Sequence, residues 1–265
     1  MKLNFLKKLV IGAAIVYSPL QSMAWGTEGH RVAGQIADSY LNAKARAAIK
    51  AILGDESLAI ASNWADFIKS DPNYNYMSAW HYVDLDKQYT LPGLQDFLNQ
   101  DTSTDAYTKL NFLIAELKKK GLSNENKLLY LRMLIHIAED VHQPLHVGHT
   151  EDKGGNDIKV TWFNNPTNMH SIWDSQLIEF QQLSYTEYTA MINHTTAAQR
   201  AEWQSAPISQ WLFESSQIAN KIYSETKTGD SINGYKYNFE YIATVNQQLL
   251  KAGVRLAGIL NQIFG

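Results

Sequence analysis

The chain contains no cysteine. Disulfides are therefore excluded, and stability must come from apolar burial and from bound metal. A basic excess is also missing. The 23 Lys and Arg are set against 26 Asp and Glu, a formal net charge of −3, which excludes the broad cationic face of a duplex-binding protein. Long apolar runs are absent as well. The apolar stretch at residues 9–17 is too short for a stable membrane anchor. No internal repeat, low-complexity tract or linker divides the sequence.

What that short stretch does resemble is the core of a signal peptide. Lys2, Lys7 and Lys8 precede it, and Ser22-Met23-Ala24 forms a small-x-small cleavage site. The expected organisation is a signal peptide over residues 1–24 and one catalytic domain over 25–265, exported to the periplasm or secreted. Cleavage would make Trp25 the first residue. Its free amine becomes available to a metal only if the residue is truly N-terminal, and His30 follows five positions later.

The rest of the pattern is mainly helical. Val32, Ile36 and Tyr40 recur at four-residue spacing, Asn42 caps a second helix and Gly54 ends it. Further helices are expected over 58–69, 104–120, 127–141, 169–180, 207–226 and 238–264, with 72–91 irregular. Pro144 ends or kinks the long central helix. Gly154-Gly155-Asn156 followed by alternating Ile158, Val160 and Trp162 predicts a small hairpin within 154–166. The expectation is one mainly α domain with a minor β excursion, whose seven Trp and fourteen Tyr supply a sizeable core and stacking surfaces.

Histidines and aspartates recur at metal-ligand spacings. His136 and Asp140 lie four apart on one helix, a rotation of about 400°, so both leave the same face. His170 and Asp174 repeat the spacing, and His146 follows Pro144 where the chain turns back. Imidazole and carboxylate are ordinary zinc ligands. A single such pair more often caps a helix or sits on its surface. Two pairs with His146 in a cysteine-free chain favour a metal site. Asp66 and His81 have aromatic neighbours, Trp64, Trp80 and Tyr82. Taken alone, they read as a helix cap and a core histidine. His142 points elsewhere on its helix and reads as structural. His149 reads as solvent-exposed, and His194 sits in an accidental glycosylation sequon.

In order along the chain stand Trp25-Gly26 with His30, Trp64-Ala65-Asp66, Trp80-His81-Tyr82, His136-x-x-x-Asp140, Gln143-Pro144-Leu145-His146, Gly154-Gly155-Asn156 and His170-x-x-Trp173-Asp174. With these elements the sequence resembles the S1/P1 nucleases, zinc-dependent single-strand nucleases and 3′-nucleotidases, as a bacterial-looking, exported member without the cysteines of the eukaryotic ones. The resemblance implies a single-domain helical fold of the phospholipase C/P1 nuclease type with three Zn²⁺ ions. One ion is assigned to Asp66, His81, His136 and Asp140, and a second to His146, His170 and Asp174. The third is assigned to the amine and carbonyl of Trp25 with His30 and Asp140, which makes Asp140 a bridge.

The activity so implied is cleavage of single-stranded DNA or RNA to 5′-phosphate products, together with 3′-nucleotidase activity, through attack of a zinc-bound hydroxide on phosphorus. Asp66, Lys69 and Asp140 are assigned to catalysis. Lys69, Tyr82, Asp84 and Asn156 are assigned to substrate: Lys69 to the phosphate charge, Tyr82 to base stacking and Asp84 to a base edge. A monomer is expected. Two other readings compete. A zinc phospholipase C would have a shorter gap between the last two zinc histidines and a Glu in the final pair, where this chain has Asp174. A non-catalytic exported zinc-binding protein would not need Tyr82 and Asp84 beside the metals.

Overall fold

The computed structural model describes residues 25–265, so the signal peptide expected over 1–24 lies outside the described residues. The helices are α1 (Thr27–Ser39), α2 (Ala43–Leu53), α3 (Leu58–Ala61), α4 (Trp64–Phe67), α5 (Leu91–Gln100), α6 (Ala106–Leu117), α7 (Asn124–Asp140), α8 (Met169–Ser171), α9 (Leu177–Glu179), α10 (Tyr185–Ile192), α11 (Ala197–Ser205), α12 (Ile208–Glu225) and α13 (Gly234–Phe264). The mainly α architecture agrees with the helical periodicity of the sequence. None of the described helices is long and apolar enough to cross a membrane.

Local chemistry explains several boundaries. Asn42 caps α2 by accepting the Ala45 N–H, and Gly54 terminates it at φ 67°. Ser123 caps α7 by accepting the Asn126 N–H. The expected helix over 58–69 is instead broken into α3, α4 and the 3₁₀ turn Ile68–Ser70, which carries Lys69. The stretch expected to be irregular contains a 3₁₀ helix, Pro72–His81, opened by Pro72 and by an Asp71 side chain that accepts the Asn73 N–H. Its three-residue period is not the 3.6-residue signal that reveals an α-helix. Helices α5, α10 and α11, which the sequence pattern does not reveal, are short and carry few buried residues.

Strands β1 (Lys159–Trp162) and β2 (Asn165–Asn168) form the expected hairpin, pairing Lys159 with Asn168 and Trp162 with Asn165. Its two-residue turn, Phe163-Asn164, has positive φ at both positions (48° and 65°), as hairpins with the native twist require. An additional strand, β3 (Ser231–Ile232), pairs parallel to β1. Two residues are too few to announce a strand by alternation.

Two apolar clusters fill the interior. One gathers Leu131, Leu134, Ile135 and Val141 around α2, α6 and α7. The other gathers Trp25, Val32, Ile36, Trp173, Tyr188 and Tyr241. Helix α1 packs against α13, α3 and α10. A Cβ added to Gly253 of α13 would lie 2.6 Å from both the Ala33 carbonyl oxygen and Ile36 Cβ of α1. That close approach sets how deeply α1, and hence His30, enters the core. Gly253→Ala gains about 1 kcal/mol of helix propensity but forces an overlap that costs typically 1–3 kcal/mol. The expected outcome is a lower urea midpoint with an unchanged slope. A higher midpoint would show that the two helices separate freely.

Candidate metal centre and substrate cleft

The site is built on the last two turns of α7, which have no solvent face. From Met133 to Asp140 every residue of α7 is buried, and His136, Glu139 and Asp140 are ionisable. Ionised groups persist in such a place only with partners. Helix α1 contributes His30, α4 contributes Asp66, and the end of the 3₁₀ helix contributes His81. The turn after α7 delivers His146, α8 delivers His170, and a π-helical turn, Ile172–Gln176, delivers Asp174. The π turn is the departure from the α-helix expected over 169–180. Such wide turns recur at functional sites, and here the Asp174 carbonyl accepts the Gly26 N–H at 2.6 Å.

Three groups of donors converge: His30, Asp66 and His136; His81, His136 and Asp140; and His146, His170 and Asp174. His30 Nε2 is 3.4 Å from Asp140 Oδ1 and 3.9 Å from Asp66 Oδ2. His136 Nε2 is 3.2 Å from Asp140 Oδ2 and 3.6 Å from Asp66 Oδ1, while His81 Nδ1 is 2.9 Å from Asp140 Oδ2. In the last group Asp174 is 3.2 Å from His170 and 3.8 Å from His146. Ligands about 2.0–2.1 Å from a tetrahedral zinc are separated by about 3.3–3.5 Å. Most of these distances suit ligands around an ion better than direct hydrogen bonds. The buried atoms His30 Nε2, Asp140 Oδ1 and His146 Nε2 have no hydrogen-bond partner. The donor types and these orphaned atoms fit a metal centre.

The far sides of the rings are anchored. Nδ1–H donates to a backbone carbonyl in His136 (Ser62, 2.6 Å), His146 (His81, 2.7 Å) and His170 (Gly154, 2.6 Å). Each anchor selects the tautomer that leaves Nε2 facing inward. The Gly154 carbonyl comes from a residue at φ 61°, where an added Cβ would strike the Leu145 carbonyl oxygen at 2.3 Å.

Electrostatics sorts the ionisable groups. Burial works against a charged His30, but the neighbouring carboxylates of Asp140 and Glu139 overcome it and raise the pKa to about 10. Burial pushes His81 down to about 4 despite its bond to Asp140. Burial opposes ionisation of Asp140, yet the surrounding histidines hold it well below the usual carboxylate range. A cation entering the centre takes the place of the protons carried by the imidazoles, so occupancy falls as pH is lowered.

Above the donors opens a cleft of about 460 Å³ lined by Lys69, His81, Tyr82, Asp84, His146 and Asn156, among others. Lys69, Tyr82, Asp84 and Asn156, expected at substrate, thus all reach it. Lys69 Nζ pairs with Asp66 Oδ1 at 2.6 Å. Tyr82 is 39% exposed beside His81. Asp84 is half-buried, and burial together with nearby Asp152 raises its pKa. The Val83 N–H donates to the His146 carbonyl at 2.8 Å and the Leu85 N–H to the Gly148 carbonyl at 2.9 Å. This backbone pairing places Tyr82 and Asp84 alongside a metal donor.

Trp25 is fully buried, with its indole Nε1–H donating to the Glu139 carbonyl at 3.0 Å. His142 is structural: its Nδ1–H donates to the Ala138 carbonyl at 2.8 Å, and Nε2 accepts from Arg255 at 3.1 Å. His149, expected in solvent, is instead half-buried and stacked on Tyr223 at 4.2 Å between ring centroids. His194 is exposed. Glu139, Ser62 and Gln143 belong to the centre without having been singled out by spacing. Gln143 Nε2 donates to Asp174 Oδ1, while its Oε1 accepts the Leu145 N–H. An acidic residue between His136 and Asp140, among the apolar residues Met133, Leu134, Ile135, Ile137 and Ala138, was the available signal for Glu139.

The centre gathers the carboxylates of Asp66, Asp140 and Asp174 with the buried Glu139. Removing bound cations leaves these charges to the imidazoles, Lys69 and neutral donors. Chelation is expected to lower the melting temperature as well as activity, and calorimetry of metal-loaded and stripped protein measures it. Identical melting curves would show a scaffold indifferent to its metals.

The S1/P1 Nuclease family model matches residues 25–265. Endonuclease 4 from Arabidopsis thaliana is 30% identical, over 92% of this chain and 90% of that protein. Nuclease S1 from Aspergillus oryzae is 27% identical over 96% of this chain and 97% of its own. Nuclease P1 from Penicillium citrinum is 28% identical over 91% and 98%. Among solved structures, the alpha toxin from Clostridium absonum aligns with a TM-score of 0.43 at 16% identity, over 92% of this chain; this chain spans 64% of that one. The donors and the cleft described above all lie within the matched span, and the chain belongs to the S1/P1 nuclease family of metal-dependent nucleic-acid hydrolases.

Proposed function

We propose that this nuclease is an exported, monomeric, zinc-dependent phosphodiesterase that cleaves single-stranded DNA or RNA to 5′-phosphate products and also hydrolyses 3′-nucleotides. The observation that carries this reading is the junction of two features: buried histidine and aspartate atoms without hydrogen-bond partners, and a cleft in which the donors His81, His146 and His170 are lined up with Tyr82 and Asp84. Asp66, His81, His136 and Asp140 would hold one ion, and His146, His170 and Asp174 a second. A third would take His30, Asp140 and the amine and carbonyl of Trp25 once residues 1–24 are removed.

Bound zinc would supply a water of lowered pKa and stabilise charge on the phosphate and leaving group. The chain's own groups do the rest. Lys69 places an ammonium at the cleft edge; with three donors it keeps Asp66 while reaching a phosphate oxygen. Tyr82 offers a partly exposed ring to a base, and stacking needs a base that is unpaired, which favours single strands. Asp84 accepts hydrogen bonds from a base edge. Asn156 lines the same cleft, its side-chain amide donating to the Lys153 carbonyl at 2.9 Å. The family membership supports the nuclease assignment over phospholipase and storage readings.

The direct test compares turnover of single-stranded DNA, RNA, a 3′-nucleotide and phosphatidylcholine, with end-group analysis of products. Hydrolysis of the first three with 5′-phosphate ends is the expected result. Cleavage of phosphatidylcholine alone points to a phospholipase, and zinc binding without turnover to a storage protein. Tyr82→Ala should raise KM for oligonucleotides and cost about 1–3 kcal/mol in kcat/KM. Hydrolysis of a phosphodiester lacking a nucleobase should be nearly unchanged. Equal losses on both substrates would mean that Tyr82 merely packs against His81.

A further inference from the structure

Glu139 is fully buried beside the centre, yet it is not one of the expected ligands. Both of its carboxylate oxygens are engaged. Oε2 accepts from His30 Nδ1–H at 2.6 Å. Oε1 lies 2.9 Å from Ser62 Oγ, whose single proton is divided between it and the Leu58 carbonyl at 2.8 Å. The backbone carbonyl of Glu139 takes the Trp25 indole N–H. One residue therefore grips both Trp25 and His30. It also reaches His136 through Ser62, whose carbonyl accepts His136 Nδ1–H.

His30 is anchored differently from its neighbours. His136, His146 and His170 are held at Nδ1 by neutral backbone carbonyls, whereas His30 is held by a carboxylate. A carboxylate fixes the tautomer as a carbonyl does, and it also makes the imidazole a stronger donor. The consequence is local. His30 Nε2 carries no hydrogen bond and faces Asp140 Oδ1 at 3.4 Å, and the ring stacks on His136 at 4.1 Å between centroids. Burying an ionisable carboxylate carries a desolvation cost that an apolar residue at 139 would not. A cationic centre next to His30 offsets that cost.

We infer that Glu139 is a positioning residue for the ion at the Trp25–His30 end of the centre. It orients His30 through Nδ1 and adds a fourth carboxylate to those of Asp66, Asp140 and Asp174. This inference rests on the metal reading given above and concerns one ion within it. Of the histidines at the other ions, His136, His146 and His170 are anchored at Nδ1 by backbone carbonyls rather than by the Glu139 carboxylate, so those ions are retained when its charge is removed.

The test uses wild-type protein, Glu139→Gln, Ser62→Ala and His30→Gln, each beginning at Trp25 and loaded with zinc. Bound zinc is counted by elemental analysis after dialysis against graded free-zinc buffers, and melting temperatures are read with and without zinc. Glu139→Gln keeps the shape and an acceptor for His30 but removes the charge. It should release one ion at a free-zinc level 10–100-fold higher than wild type and retain the others. His30→Gln should lose the same ion. The zinc-induced rise in melting temperature should shrink in Glu139→Gln. A Glu139 that only packs the core would shift both melting temperatures equally and leave the release curve unchanged, which overturns the inference. Should Glu139→Gln fail to fold, Ser62→Ala decides: weaker retention of the same ion supports the role, and unchanged retention overturns it. If wild-type protein binds no zinc, the metal reading itself falls. If wild type binds zinc fully and the Glu139 variant matches it, this inference alone falls.

Discussion

Three ionisable side chains on a helical segment without a solvent face set the terms for the rest of this molecule. In α7 the run from Met133 to Asp140 is buried throughout, and His136, Glu139 and Asp140 sit inside it. An isolated charge there would cost more than the helix gains by packing. Every one of the three is met by another element. Asp140 is approached by His30, His81 and His136, Glu139 by His30 and Ser62, and His136 by the Ser62 carbonyl. The close seating of α1 on α13 and the broken path through α3 and α4 are what bring those partners within reach.

The substrate side depends on the same arrangement. His81 reaches Asp140 from the end of a 3₁₀ helix, and the next residues pair their backbone with the His146 and Gly148 carbonyls. Tyr82 and Asp84 are thus held in register with donors from two separate groups. A base docked on Tyr82 would have its phosphate near the donors, because Tyr82 directly follows the donor His81 in the chain. Positive charge at such a centre would come from the metals, which explains how a chain with a net charge of −3 belongs to a family acting on polyanions.

Much of this was legible in the linear pattern. The cap at Asn42, the stop at Gly54, the long helix ending before Pro144 and the hairpin after Gly154-Gly155 are encoded by neighbouring residues, because caps, turns and periodicity are local effects. The 3₁₀ helix and the π turn were not legible, since their periods differ from 3.6 and their form depends on what packs around them. Helices α5, α10 and α11 escaped because short helices with few buried residues carry a weak periodic signal.

The site divides along the same line. His136 with Asp140 and His170 with Asp174 share a helical face by spacing alone, so their identity as pairs was set by the amino-acid sequence. Tertiary structure decided which pairs meet. His30 and Glu139 are 109 residues apart in the chain, and no periodicity relates them. Their contact exists because α1 is wedged between α13, α3 and α7. The sharing of His136 between two donor groups and the anchoring of Asp174 by Gln143 are likewise products of packing. Local sequence chooses donor types and their spacing on one element, whereas distances between elements are set by how their side chains interlock in the core.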